Sequence, residues 1–272
     1  MSKGPTRRQL LHRSLLAAGA GGLTACTAAP NPRAARPQAT PARGPFNFCL
    51  NTSTIRQQAK TLTEQIDIAI EAGYDAIEPW VRHIEAHRDS GGSLKDVARK
   101  CADHNLKVAS AIGFARWIVD DAAERARGLE QARREMDLVR QIGGTHIAAP
   151  PVGAHRGKGP KINLFAVAER YGALCKVGRE AGVIPQVEVW GFSRNLSRLG
   201  EAIFVAAESA HPDACVLPDI YHVYKGGSDP AAYRMLSAEA VHCFHVNDYP
   251  ADPPRDKISD ADRVFCGDGV AP

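Results

Sequence analysis

Cys215-Val-Leu-Pro-Asp-Ile-Tyr-His-Val-Tyr-Lys-Gly-Gly227 is the stretch on which the reading of this chain turns. A short apolar run, Val216-Leu217, ends in Asp219, His222 follows three residues later, and Gly226-Gly227 signals a turn. A run of this length bounded by a turn signal predicts a buried strand. Its polar residues cluster at the carboxyl end, where α/β sheets and barrels place their chemistry. Two similar runs flank it, Ile184-Pro-Gln-Val-Glu-Val-Trp190 and Val241-His-Cys-Phe-His-Val-Asn-Asp248. They carry Glu188 and His245 at or near their ends. Glu, Asp and His at three successive strand ends predict one convergent metal site.

Outward from there, strand-like and helix-like runs alternate. Phe46–Asn51 reads as strand one, Tyr74–Glu78 as strand two, Leu106–Ile112 as strand three and Thr145–Ala149 as strand four. Helical periodicity covers 63–71, a charged amphipathic run covers 121–141, and Asn163–Ala181 ends at Gly182. Ser93-Leu-Lys-Asp96 has the form of a capping box. Leu196–Ser209 and Pro230–Ser237 read as the helices between the last three strands. This rhythm belongs to parallel α/β folds, and seven βα units favour a (β/α)8 barrel over a doubly wound sheet. An eighth unit is not found before Pro272, so the reading is of a barrel truncated before strand eight.

The totals narrow the function classes. The 272 residues suffice for one large α/β domain, with 44% hydrophobic and 24% charged residues in ordinary globular proportion. A net charge of +4 gives no electrostatic footprint for nucleic acid. The seven cysteines include no C-x-x-C pair, which argues against a thiolate zinc site or a thioredoxin-type motif. Cys49, Cys215 and Cys243 read as buried free thiols in strands.

The first 45 residues read as an address and a tether. Arg7-Arg8 precedes an apolar run from Leu15 to Leu23, too short for a permanent span of about 20 residues. A basic region followed by a short apolar one is an export signal, and the paired arginines point to the twin-arginine route. Leu23-Thr-Ala-Cys26 resembles a bacterial lipobox, with Cys26 as the residue to be lipidated. Residues 1–26 are thus expected to be the signal, 27–45 a flexible Pro/Ala/Arg-rich linker, and 46–272 the barrel domain, incomplete at its C-terminal end. The expected location is the periplasm, with membrane contact only through a lipid anchor.

The order of motifs from Phe46 onward resembles the xylose isomerase-like TIM barrels described as sugar phosphate isomerases and epimerases. The residues that carry the resemblance are Glu188, Asp219-x-x-His222, His245-Val-Asn-Asp248, and Asp262-Arg263 leading into Gly267-Asp268-Gly269. Ile77-Glu78-Pro79-Trp80 and Ala148-Ala149-Pro150-Pro151 support it. The resemblance implies that Glu188, Asp219 and His245 ligate one divalent ion, with the family's fourth ligand, a Glu on strand eight, lying beyond Pro272. It further implies that Glu188 works as an acid/base, and that His222, Glu78, Trp80 and Arg263 bind or line the site of a small sugar. A homo-oligomer is compatible with this reading.

Carboxylate and imidazole ligands without thiolate suit Mn²⁺, Mg²⁺, Co²⁺ or Zn²⁺. Such an ion acidifies the C–H between a carbonyl and a neighbouring hydroxyl, which a carboxylate base can then deprotonate. The leading expectation is a metal-dependent sugar isomerase or epimerase. Alternatives are a lyase of the inosose dehydratase type and a non-catalytic sugar-binding lipoprotein. An apurinic endonuclease-like phosphodiesterase is disfavoured, because the ends of strands two and three carry Glu78-Pro79-Trp80 and Ile112-Gly113-Phe114 instead of extra histidines. His242 and His245 should point to opposite faces of their strand. Asp248 reads equally as a turn cap or a functional group, and His83, His87, His146 and His155 read as surface or loop histidines. Phe114, Trp117 and Trp190 read as pocket wall or core. Gly267-x-Gly269 lacks the strand–helix context of a dinucleotide site.

Overall fold

The structure is a computed structural model that describes residues 46–272. The signal, Cys26 and the linker expected within residues 1–45 lie outside the described residues. Six strands run parallel: β1 (Cys49–Asn51), β2 (Ala76–Glu78), β3 (Lys107–Val108), β4 (His146–Ala149), β5 (Ile184–Glu188) and β6 (Val216–Leu217). They form two sheets, β1-β2-β3 and β4-β5-β6, joined by parallel bridges from Trp80 to Ile112 and from Ile112 to Ala148. Consecutive parallel strands with helical crossovers make this a (β/α) barrel, as its sequence predicts.

The crossovers are α1 (Leu62–Glu71), α2 (Val81–Asp89), α3 (Leu94–Asp103), α4 (Ala122–Gln141), α5 (Leu164–Ala181) and α6 (Leu199–Glu208). Local chemistry sets their ends. Thr61 and Glu64 close a full capping box on α1, Ser93 caps α3, and Asp121 accepts from the Glu124 N–H on α4. Gly182 ends α5 in the left-handed conformation, at φ 74°.

Three sequence expectations need correction. Val241–Asp248 is not a full seventh strand; it meets β6 through one parallel bridge between Asp219 and His245. Its side chains still alternate in burial, as on a strand, but no strand pairs with its other side among the described residues. Pro230–Ser237 forms a single 3-10 turn, Pro230–Met235, instead of an α-helix, and the backbone is already extended at Leu236. Residues 220–225, read as the tail of a strand, form a short helix, α7 (Ile220–Lys225).

The core lies between strands and helices. Leu62, Ile66, Ile77, Ile84, Val97, Met136, Val139, Leu174, Val187 and Val205 are all buried there. Trp117, read as a candidate pocket wall, belongs to this core. It is 1% exposed, its ring centroid lies 5.8 Å from that of Tyr171, and its Nε1 donates to the Pro150 carbonyl at 3.0 Å. The Tyr171 hydroxyl lies 2.7 Å from the Pro185 carbonyl and accepts from the Cys215 N–H at 3.2 Å, tying α5 to β5 and to the entry of β6. Tyr171→Phe leaves those buried backbone groups short of a partner. It is expected to cost about 1–3 kcal/mol in denaturant unfolding, and an unchanged midpoint would show that the hydroxyl is dispensable.

Candidate active site

Polar side chains from four strand ends and two loops meet at the carboxyl end of the barrel. Asn51 closes β1, Glu78 closes β2 and Glu188 closes β5. Asp219 follows β6 as the N-cap of α7, its Oδ1 accepting from the His222 N–H at 2.9 Å. Cap and site residue are therefore one side chain, and the D-x-x-H spacing is one helical turn that keeps His222 beside Asp219. Glycine allows the loop after β5 to lie on this turn. A Cβ on Gly191 would collide with the His222 carbonyl, and one on Gly226 with the Ser197 carbonyl.

His245 is the meeting point. Its Nε2 lies 2.8 Å from Glu78 Oε2, which also accepts from Asn51 Nδ2 at 2.8 Å. Its Nδ1 faces the other half of the site, 3.6 Å from Asp219 Oδ2 and 3.9 Å from Glu188 Oε1. Asp219 Oδ2 further accepts from Asn247 Nδ2 at 3.0 Å and from Arg263 Nη1 at 3.2 Å. The other Arg263 nitrogen, Nη2, donates to His222 Nε2 at 3.1 Å and to Asp260 at 2.8 Å, while the guanidinium sits 4.4 Å over the Tyr221 ring. An imidazole accepting at Nε2 carries its proton at Nδ1. That Nδ1 is buried without a partner among the described residues, as are Arg263 Nε and Glu188 Oε2.

Burial dominates the electrostatics. It pushes the Glu188 carboxyl up to about 7, with the charges of Asp219 and Glu78 adding to the rise against His245. It would raise Asp219 as well, but His222, Arg263 and His245 outweigh it and hold that carboxyl well below the usual range. Burial likewise lowers His222 to about 4, keeping it neutral. For His245 burial is overridden by Glu78, Asp219 and Glu188, and its pKa lies well above the usual imidazole value.

An aromatic wall borders the cluster. Trp80 and Phe114 lie 5.0 Å apart, Phe114 and Trp190 6.3 Å, Trp190 and Phe192 5.2 Å, and Phe192 lies 5.6 Å from His222. The Trp80 indole is oriented by a 2.6 Å bond to Ser53 Oγ and carries Arg82 at 4.0 Å over its ring. His155 stands edge-on to Trp190 at 5.6 Å, so it belongs to the rim of this wall.

The structure thus gathers Glu78, Glu188, Asp219, His222, His245 and Arg263 at one place, with Trp80 in the adjoining wall. His242 points away and packs against His146, with ring centroids 4.5 Å apart and the planes tilted by 38°. Sequence reasoning missed Asn51, Asn247, Ser53 and Phe192. Of these only Asn51, a polar residue ending a predicted strand, carried a usable signal.

Among the described residues no group of three or more His, Cys, Asp or Glu side chains is placed to hold a metal ion. The donor chemistry, carboxylate and imidazole without thiolate, is nevertheless the kind divalent ions take. Donors around one ion with bonds of roughly 2.0–2.2 Å lie roughly 3–4 Å apart, the range of the His245 contacts. Glu78 holds the far nitrogen of His245 as an outer carboxylate does for a metal-bound histidine. Glu188 Oε2 is a buried oxygen without a partner.

Comparison with known proteins agrees with this architecture. A model of the xylose isomerase-like TIM barrel family matches residues 66–272. Over 200 residues, 70% of this chain, the sequence is 25% identical to a 3-dehydroshikimate dehydratase of Pseudomonas aeruginosa, of which it spans 29%. The chain therefore covers under a third of the length of that curated relative. Among solved structures, a IolI protein with a bound zinc atom superposes with a TM-score of 0.74 at 18% identity, covering 83% of this chain and 81% of that one. A D-psicose 3-epimerase crystallised with D-fructose gives 0.64 at 17% identity, covering 76% of each chain. Family match, barrel topology and strand-end residues agree: the chain belongs to the xylose isomerase-like TIM barrel family.

Proposed function

We propose that this domain is a metal-dependent isomerase or epimerase of a keto-sugar or related polyol, working by proton transfer at the carbon beside the carbonyl. The observation that carries the reading is Glu188: a buried strand-end carboxylate whose Oε2 has no partner among the described residues, with Trp190 two residues on in the aromatic wall. The solved D-psicose 3-epimerase shares the fold, which supports a sugar as the substrate class.

Glu188, Asp219 and His245 would hold the ion, one of Mn²⁺, Mg²⁺, Co²⁺ or Zn²⁺. Such an ion draws electron density from the substrate carbonyl and so acidifies the neighbouring C–H. Glu78 and Asn51 fix the His245 ring, leaving Nδ1 toward the two acids. Glu188 Oε2 takes the proton; returned by the same carboxyl to the adjacent carbon it gives aldose–ketose exchange, whereas epimerisation requires a second acid to deliver a proton to the opposite face of the original carbon. His222 Nδ1–H and Arg263 Nε–H are buried donors without acceptors among the described residues, the groups that substrate oxygens would satisfy. Trp80, Phe114 and Trp190 pack against the C–H face of the polyol and keep water off the reacting carbon.

A second reading is favoured by the dehydratase relative. The first step is the same proton removal, after which the hydroxyl on the next carbon leaves as water and a conjugated double bond remains. The proposal also places the chain outside the cytoplasm, with residues 1–26 as signal, Cys26 lipidated and 27–45 as tether. The Arg7-Arg8 pair and the Leu23–Cys26 motif support it.

With Mn²⁺ or Zn²⁺ supplied, keto-sugars incubated in D₂O are expected to take up deuterium at one carbon-bound position, and Glu188→Gln to lose roughly 10²–10⁴-fold in that rate. Water release with growing ultraviolet absorption would decide for the lyase, and full turnover by Glu188→Gln would refute the role of the base. Chelator-treated protein gives a test independent of substrate. A carboxyl with a folded pKa near 7 and an ordinary value of 4.5 stabilises the fold below about pH 4.5 and loses that contribution as pH rises through 7. Glu188→Gln should therefore be more stable than the parent by roughly 1–3 kcal/mol at pH 8 and by little at pH 5. A difference independent of pH would mean that the carboxyl is not buried as described. Finally, radiolabelled palmitate should enter the chain in its bacterial host and be absent from Cys26→Ser; label retained in that variant would exclude Cys26 as the anchor.

A further inference from the structure

Asp248 closes the segment that carries His245, and its carboxylate is committed to the chain that follows. Oδ1 accepts from the N–H groups of Tyr249 at 2.8 Å and Ala271 at 2.9 Å, and Oδ2 from those of Gly267 at 3.0 Å and Gly269 at 3.1 Å. The backbone of Asp248 also pairs antiparallel with Val264, through bonds of 3.0 and 3.3 Å. Asp248 is 4% exposed, so these bonds form largely out of water. The glycines make the approach possible: Gly267 has φ 92°, and a Cβ on Gly269 would collide with the Asp248 carboxylate and the Tyr249 carbonyl.

Arg263 immediately precedes Val264, and it lies in no helix or strand that would hold it. It follows a single 3-10 turn, Asp260–Asp262. Its distance to Asp219 and His222 depends on where the Val264–Asp248 pairing and the carboxylate place the backbone. We propose that Asp248 is a positioning residue: by binding the N–H groups of Gly267, Gly269 and Ala271 it fixes the 263–271 segment and so sets the Arg263 guanidinium against Asp219 and His222. Its catalytic consequence rests on reading Arg263 and His222 as donors to substrate oxygens. Asparagine does not substitute, because four N–H donors need two acceptor oxygens and the amide turns an NH₂ toward two of them.

The test compares full-length protein, Asp248→Asn and Gly269→Ala, each with and without Arg263→Ala. Nitrogen-15 spectra of the arginine side chains, assigned with Arg263→Lys, read the guanidinium directly and need no substrate. A distinct, slowly exchanging Arg263 signal is expected in the parent and its merger with the solvent-averaged arginines in Asp248→Asn. In the D₂O exchange assay, kcat/KM should fall roughly 10- to 100-fold in Asp248→Asn, and by nothing further once Arg263 is alanine, whereas a purely structural loss would persist in that background. Gly269→Ala, which disturbs the same four bonds and leaves the carboxylate intact, should reproduce both effects and serves alone if Asp248→Asn does not fold. An unchanged Arg263 signal in a folded variant, or equal losses in both backgrounds, overturns the proposal. A parent protein that exchanges no keto-polyol defeats the functional reading only, and the guanidinium signal then decides the positioning role.

Discussion

Three carboxylates, Glu78, Glu188 and Asp219, lie buried around one imidazole, and the site depends on that ring. Removing carboxylates from water costs several kcal/mol each unless opposite charge and hydrogen bonds offset it. His245 supplies both, one nitrogen for the acid of β2 and the other for the acids after β5 and β6. It thereby links strands from both sheets at their functional ends. A divalent ion bound at Nδ1 would displace a proton and take over the same electrostatic task with more charge.

Arg263 stabilises the outer side of that cluster. It satisfies Asp219 Oδ2, holds His222 in a single tautomer and rests on Tyr221. Burial lowers the pKa of His222, so this imidazole is a neutral donor next to a charged guanidinium. Two neighbouring histidines are thus set to opposite protonation states by their surroundings, His245 by three acids and His222 by desolvation.

Much of this was legible in the sequence, for a physical reason. Parallel strands in a barrel are short apolar runs, and their chemistry is confined to the residue where each run ends, so Glu78, Glu188 and Asp219 announced themselves by position. Strand alternation said that only one of His242 and His245 could face the interior, and position with the family pattern picked His245. Other features were hidden. Ile220, Tyr221, Val223 and Tyr224 are β-branched and aromatic, which favours a strand, and only the Asp219 cap turns them into a helix. Trp80 begins α2 without a side-chain cap bond, so no start signal marked that helix. Phe114 and Trp117 sit three residues apart in one loop, and nothing in their spacing says which faces the mouth and which the core. Asn51 and Asn247 act by orienting neighbours across long sequence separations, a property of the folded chain alone.

The side-chain-free contacts at Gly191 and Gly226 carry a last consequence. With Gly191 against the His222 carbonyl and Gly226 against that of Ser197, the backbones after β5 and β6 touch directly. No rotamer change can part them, so this half of the rim behaves as a fixed jaw.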